Sequence, residues 1–455
     1  MVSDNGTATR RAVLKGVGAG GLVGVAGCLG VEGGDEGGDG GTEGNGGGST
    51  GTDGGTAGGG SSPDSIVFGQ PAAQTGQWDF LQPGVSQATD AALQNINDAG
   101  GPLGTEVELV RRDTGVNPQE ARTVVTQLIE NDGASAILGL FSSEINPLWD
   151  FLQEQRTPVV TPWPGSTFLD TRGGDKGTPE NLDDDEWVWR TVVGDTVHTA
   201  GNAKRTLDEG FETIGVINGN TEGERSYVEG FLAPYEAEGG SVAQRVEVGL
   251  GESSYQSALE RLFGADFDAF LVSLPQESAI TMLSDWADGG YGGQPVLSDT
   301  LGTQAVIDQV GDALNGAWAA SPGQSGPNYD TFEQAFQNAG DAEVNAWSPP
   351  AWDAMHVVAL AVERAGEATP EAIERNLGPV SGGEGMTVST FAEGKEALAN
   401  GEEVNFEGAA TPTNFTQHGN VFGSVTISVA ENGEFTEAEV IPAEEVRGFV
   451  EEGEY

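Results

Sequence analysis

The sequence predicts an α/β protein of two lobes, each a mainly parallel sheet flanked by helices, carried behind a disordered tether. Three observations lead there. From Ser65 onward, short apolar runs alternate with amphipathic stretches, the pattern of strands joined by crossover helices. About 390 ordered residues exceed one comfortable hydrophobic core, so two domains are expected. Ahead of them, 17 of the 35 residues at 29–63 are glycine and almost none is apolar, too little to offset the entropy of ordering.

The elements follow in order. SIVFG (65–69) reads as a strand and VSQATDAALQNINDAGG (85–101) as a helix, with Ala88, Ala92 and Ile96 on one face and Gly100 as its stop. EVELVRR (106–112) alternates like a strand. Asn117, Pro118 and Glu120 then supply a cap, a first-turn proline and an acidic N3 residue for a helix bearing Ala121, Val124, Val125 and Leu128. ASAILGL (134–140) reads as a strand, NPLWDFLQEQ as a helix and TPVVTP as a strand. Beyond a polar loop containing Asp183–Glu186, the strands EWVWRTV (186–192), TIGVINGN (213–220), SVAQRVEVG (241–249), DAFLVSL (268–274) and QPVLSD (294–299) continue the alternation. AWDAMHVVALAVERAG (351–366) is apolar enough to be a buried helix, with Met355 and His356 as packing groups.

The amino terminus carries a different message. TRRAVLK (Thr9–Lys15), a short apolar glycine-rich run and Val25-Ala26-Gly27-Cys28 have the layout of a twin-arginine export signal ending in a lipoprotein box. Cys28, the single cysteine, has no disulfide partner within the chain and is expected to be a lipid anchor, with residues 1–27 removed. Residues 28–63 then form a tether of roughly 30–35 Å r.m.s. span. Gly16–Gly21 fits G-x-G-x-x-G but lies in the signal, and Gly47–Gly51 fits G-x-S-x-G but lies in the tether, so neither carries chemistry.

The formal charge of −52 excludes a general nucleic-acid binder, because phosphate contacts need a cationic surface. Four lysines against fifteen arginines in so acidic a chain fit a protein working at molar salt, where the Debye length is about 3 Å. No calcium-loop pattern occurs, and neither a metal nor another cofactor is expected. In open α/β sheets ligands bind beyond the carboxyl ends of strands, so the loops after Gly69, Gly139, Thr161, Asn218, Ser273 and Ser298 are the informative ones. Two of them are rich in hydroxyls and free amides suited to a carboxylate.

At these loops the chain resembles the solute-binding lipoproteins of ABC importers with the type I periplasmic-binding-protein fold, in the leucine/isoleucine/valine-binding group. The resemblance covers nearly all of 65–440. It is carried by INDAGGPLGTEVELVRRDTGVNPQEA (96–121), ASAILGLFSSE (134–144), TPVVTP (157–162), WRTVVGD (189–195), GDALNGAWAASP (311–322) and NGEEVNFEGAATPTNFTQHGNV (400–421). It implies one lobe from 64–192 and about 321–415, a second from 193–320 and about 416–455, and a hinge near Arg190–Asp195. It implies a ligand carboxylate held by Ser142 or Ser143 and by Pro164, Gly165 and Ser166, an aromatic cover from Trp78, and an ammonium received by Asp299. Bare packing by Trp78 and helix capping by Asp299 are the alternatives to those last two roles.

Three departures from the family pattern bear on the side-chain pocket: Gly223-Glu224 in place of a Tyr-Gly pair, Pro275-Gln276 in place of an aromatic, and Trp163-Pro164-Gly165 in place of a small residue followed by Ala-Thr. The implied function is binding of an amino acid or related small polar solute, outside the cytoplasm, without catalysis. An ABC permease and its ATPase would be the partners, the lipid would be the sole contact with the membrane, and the body would be monomeric. A membrane-anchored sensor or surface protein of the same fold is the alternative. A cell-surface hydrolase is a weaker one, because His198, His356 and His418 lie outside the expected ligand loops.

Overall fold

The computed structural model describes residues 65–450 except Gln77, 173–186, 324–325, 383–384 and Phe449. The expected export signal, Cys28, the tether and Asp183–Glu186 lie outside the described residues. The described residues all fall within one unit spanning 60–455.

The first sheet is wholly parallel. Strands β1 (Ile66–Ala72), β2 (Val107–Asp113), β3 (Ala136–Ile137), β4 (Val159–Thr161) and β5 (Val188–Arg190) lie in the order β2-β1-β3-β4-β5. Phe68 pairs with Leu109 on one side and Ala136 on the other, which sets the register. Helices α1 (Gln82–Asp98), α2 (Pro118–Glu130) and α3 (Ser142–Gln155) connect the strands. The cap read from sequence is present: Asn117 Oδ1 accepts the Gln119 and Glu120 amides at 2.9 and 3.2 Å. β3 is far shorter than its seven-residue apolar run. The chain turns away after Gly139, where Leu140 takes a φ of 79°.

The chain then enters a second sheet through α4 (Asp195–Asp208). Strands β6 (Thr213–Gly219), β7 (Ser241–Val248), β8 (Ala269–Ser273), β9 (Gln294–Leu297) and β10 (Trp318–Pro322) are parallel, with α5 (Glu222–Ala237), α6 (Gln256–Leu262), α7 (Gln276–Gly289) and α8 (Gln304–Val310) between them. Next, α9 (Tyr329–Ala339), α10 (Ser348–Ala365), α11 (Pro370–Val380) and α12 (Phe391–Ala399) return to the first sheet, with a small parallel pair β11 (Met386–Val388) and β12 (Val404–Phe406). β13 (Val425–Glu431) extends the second sheet antiparallel to β10 and β14 (Glu434–Ile441) pairs antiparallel with β13 at the edge, before a short α13 (Ala443–Arg447).

Each sheet has an apolar core on either face. Around the first, α1 and α10 contribute Val85, Ala92, Ile96, Met355 and Leu360 to one face, and α2 and α3 contribute Val125, Leu128, Ile145 and Leu152 to the other. Around the second, Val197, Val228 and Phe231 pack on one face and Leu259, Met282 and Leu283 on the other. α10 is the buried helix expected near 351–366 and starts three residues earlier. Its His356 packs against Phe406 and contacts the Trp352 carbonyl at 3.0 Å, a packing role.

The passage from one sheet to the other is tied down by polar contacts. The Thr191 hydroxyl donates to Pro350 O at 2.7 Å, and Arg190 N donates to Gly419 O at 3.0 Å. The Arg190 guanidinium is buried. It pairs with Asp170 and donates to the Gly165 and Ser166 carbonyls at 3.2 and 3.1 Å, so it shapes the 164–170 loop from beneath.

Candidate functional site

A cavity of about 260 Å³ opens where the carboxyl ends of the two sheets meet. Its walls come from the loops that strand order singles out. From the first sheet come Trp78 and Leu81 after β1, Val116 after β2, Phe141, Ser142 and Ser143 after β3, and Trp163 and Gly165 after β4. From the second come Thr221, Gly223, Glu224 and Tyr227 after β6, Ser273 and Leu274 after β8, and Ser298, Asp299 and Thr300 after β9. Asp195 at the start of α4 and Trp347 just ahead of α10 complete it.

The two walls differ in chemistry. The first-sheet wall is aromatic: Phe141 stacks on Trp163 at 4.3 Å between centroids, and Trp163 lies 6.3 Å from Trp347. Ser142 and Ser143 open α3, so their hydroxyls stand at the positive end of a fourteen-residue helix. Glu144 Oε2 accepts the Phe141 amide at 2.9 Å and fixes this turn. Two strained backbone positions lie here. Val116, β-branched, has a φ of 54°, and Leu140 at 79° directly precedes the Phe141–Ser143 turn. The Leu140 carbonyl is held in place by the Thr161 hydroxyl at 2.9 Å.

The second-sheet wall is acidic. Asp195, Glu224 and Asp299 line it, with Glu222 just behind. Burial is the main cause raising the Asp299 pKa, to about 7, against a 2.9 Å hydrogen bond from the Thr300 amide that lowers it. Burial likewise lifts Glu224 to about 7, aided by the charges of Glu222 and Asp299. Asp195 is pushed up well beyond the usual carboxylate range, chiefly by burial, although Ser226 donates to it at 2.7 Å. His198 lies beneath, its Nε2 3.7 Å from Asp195 and 3.8 Å from Asp299. Burial holds it neutral, with a pKa of about 3.

The residues implied by the resemblance divide accordingly. Trp78, Ser142, Ser143, Gly165 and Asp299 line the cavity together. Pro164 and Ser166 do not reach it. The Pro164 carbonyl faces the Arg190 guanidinium at 3.5 Å. Ser166 is fully buried, caps the turn at Phe168 and donates to Glu222 at 2.7 Å, so its hydroxyl ties the two lobes together behind the cavity. Asp299 does bond the amide of its own short helical turn, and it also faces the cavity.

Phe141, Thr221, Tyr227, Ser298 and Trp347, and Asp195 from the expected hinge, also line the cavity, although none is among the expected ligand contacts. Thr221 and Ser298 sit in loops already singled out by strand order. Trp347 arrives only through the return of the chain to the first sheet, which no local pattern announces. Among the described residues, no group of three or more His, Cys, Asp and Glu side chains is disposed to hold a metal ion.

The periplasmic binding protein family model matches residues 65–426. The chain belongs to that family. Its members bind solutes outside the cytoplasm and carry out no reaction, which agrees with a cavity at the carboxyl ends of two α/β sheets. Among curated relatives, the leucine-, isoleucine-, valine-, threonine- and alanine-binding protein of Pseudomonas aeruginosa is 24% identical over 295 residues, covering 63% of this chain and 74% of the relative. The chemotactic signal transduction system substrate-binding protein BasB of Halobacterium salinarum is 23% identical over 359 residues, 76% of this chain and 82% of the relative. Solved structures share the fold. The leucine-binding protein LivK of Thermotoga maritima superposes with a TM-score of 0.66 at 20% identity, over 83% of this chain and 98% of that one. A solute-binding protein of Rhodopseudomonas palustris in complex with 4-hydroxybenzoate gives 0.65 at 18%, over 85% and 100%. The type I architecture expected from the sequence is therefore the observed one.

Proposed function

We propose that this chain is the extracytoplasmic solute-binding component of an ABC importer and that it takes an amino-acid-like solute, of the branched-chain type or related to it, into the cavity between its two sheets. The observation that carries this reading is the pairing of unlike walls. Two serine hydroxyls at a helix amino terminus face a wall bearing Asp299, so one side suits a carboxylate and the other an ammonium. Charge-assisted hydrogen bonds contribute about 1.5–3 kcal/mol each. Three or four of them, with burial of the ligand against Trp78 and Trp163, reach a micromolar Kd, about −8 kcal/mol, after association costs.

In this reading the lobes comprise 64–192 with about 321–415, and 193–320 with about 416–455. They rotate about the segments joining them, the first of which lies at Arg190–Asp195. Cys28 anchors the exported, monomeric protein to the outer face of the membrane, the tether lets the body reach a permease with its ATPase, and the acidic surface suits molar salt. A second reading is supported by the relative from Halobacterium, whose name assigns it to a chemotactic signalling system. Here the liganded body would contact a transducer in place of a permease. The two readings share the site and differ in the partner. Thermal shift of the purified protein in molar KCl against the twenty amino acids, short amides, urea and polyamines tests the site. Stabilisation by α-amino acids, lost in Ser142→Ala, is the expected result; no response to any solute in that panel would overturn it.

A further inference from the structure

The acidic wall presents more carboxyls than the single ammonium of an ordinary amino acid engages. We propose that the natural solute carries a second positive group, seated against Glu224 and Asp195, in addition to the ammonium received by Asp299: an amino acid with a cationic side chain. This rests on the binding role proposed for the same cavity and specifies its ligand.

Four observations converge. First, the cavity lining contains three carboxyls and neither a lysine nor an arginine. A ligand with a single ammonium leaves two of those carboxyls to be buried uncompensated beneath it, or to take up protons. Second, Glu224 is only 6% exposed, lines the cavity, and its Oε2 makes no hydrogen bond among the described residues. A buried carboxylate oxygen without a donor is costly unless something arrives to satisfy it. Ser226 bonds Asp195 and Thr300 bonds Asp299. Glu222 receives Ser166 and, like Glu224, keeps one buried oxygen without a partner, but of the two only Glu224 lines the cavity. Third, there is room beside Glu224. Gly223 also lines the cavity, and a Cβ added there would meet nothing within 4 Å. Fourth, Trp78, Trp163 and Trp347 line the opposite wall, an aromatic surface suited to a cationic group and its alkyl chain.

Glu224 is also where the sequence departs from the leucine-type pattern, with Gly223-Glu224 standing for a Tyr-Gly pair. An aromatic ring there would pad an aliphatic side chain. A glycine followed by a buried acid opens space and supplies charge.

The test is isothermal titration of the purified full-length chain in molar KCl at pH 8 with L-lysine, L-arginine, L-leucine and putrescine. Wild type is compared with Glu224→Gln, which keeps the shape and removes the charge, and with Gly223→Lys, which supplies an internal cation beside Glu224. The inference expects lysine or arginine to bind more tightly than leucine. Glu224→Gln should weaken that ligand by roughly 30-fold or more and reduce its preference over leucine, and Gly223→Lys should weaken it as well, through occupancy of the cavity. Leucine binding unaffected by either variant, with no binding of lysine or arginine, would overturn this inference and leave the amino-acid-binding role intact. Binding of putrescine alone would overturn the amino-acid class. Silence toward all four, with a cooperatively folded protein, would overturn the binding role on which the inference rests.

Discussion

Replacing Asp299 by asparagine separates stability from function in this protein, because the two should move in opposite directions. In the ligand-free state burial lifts the Asp299 pKa from 3.8 to about 7. Holding the ionised form in place then costs the fold up to about 4 kcal/mol at pH 8. The side chain keeps 14% exposure, and solvent reaching it reduces the cost, so about 2 kcal/mol is the working figure. The sign follows from linkage. A carboxyl raised on folding favours the native state below its unfolded pKa, and that benefit is lost as pH climbs through the folded value. Asparagine, which does not titrate, should therefore stabilise the ligand-free protein at pH 8 and do so by about 1 kcal/mol less at pH 5. The same change removes the acceptor proposed for the ligand ammonium and should weaken binding about tenfold or more. Urea unfolding at both pH values, with calorimetric titration of the best ligand, measures both effects. A variant less stable than wild type at pH 8, or one that binds as well, would refute the reasoning.

Three further outcomes follow from other parts of the structure. Arg190→Met strands the buried Asp170 carboxylate and should cost about 3–5 kcal/mol by urea unfolding, with part of the loss recovered at lower pH as Asp170 takes up a proton. Asp353→Ala removes the acceptor of the Ala409 and Ala410 amides, at 2.6 and 2.9 Å in a fully buried site, and should destabilise by about 2–4 kcal/mol on the same assay. Gly165→Ala brings a Cβ to 1.8 Å from Asp195 Oδ1, so it should displace that carboxyl and weaken ligand binding even where the melting temperature changes little.

The fold was legible where local chemistry and packing agree. Asn117 and Pro118 announced α2, and the alternating segments announced the parallel strands of both sheets, because their central strands are apolar enough to be buried and helices such as α2 are one-sided. β3 was overread because apolar content does not reveal that the chain turns out of the sheet at Gly139 and Leu140 to deliver Ser142. The antiparallel β13–β14 hairpin went unread among polar residues, its burial being one-sided along an edge. At the site, strand order pointed to the correct loops but not to every side chain that turns inward. Ser166 looked as free as Ser142 in sequence, and only the approach of α5 shows its hydroxyl engaged by Glu222. Trp347 and Asp195 come from segments that strand order alone does not assign to the cavity. Glu224 stood out in sequence as a departure, while the burial of its Oε2 without a partner is visible only in three dimensions.

The most direct measurement is tryptophan fluorescence during ligand titration, because Trp78, Trp163 and Trp347 line the one cavity to which the solute is assigned. A saturable change with an amino acid in wild type, abolished by Ser142→Ala combined with Ser143→Ala and by Trp163→Phe, is the result this account predicts. Tight binding of an amino acid by titration calorimetry with no change in the fluorescence of these tryptophans, and undiminished in the double serine variant, would place the solute elsewhere and contradict it.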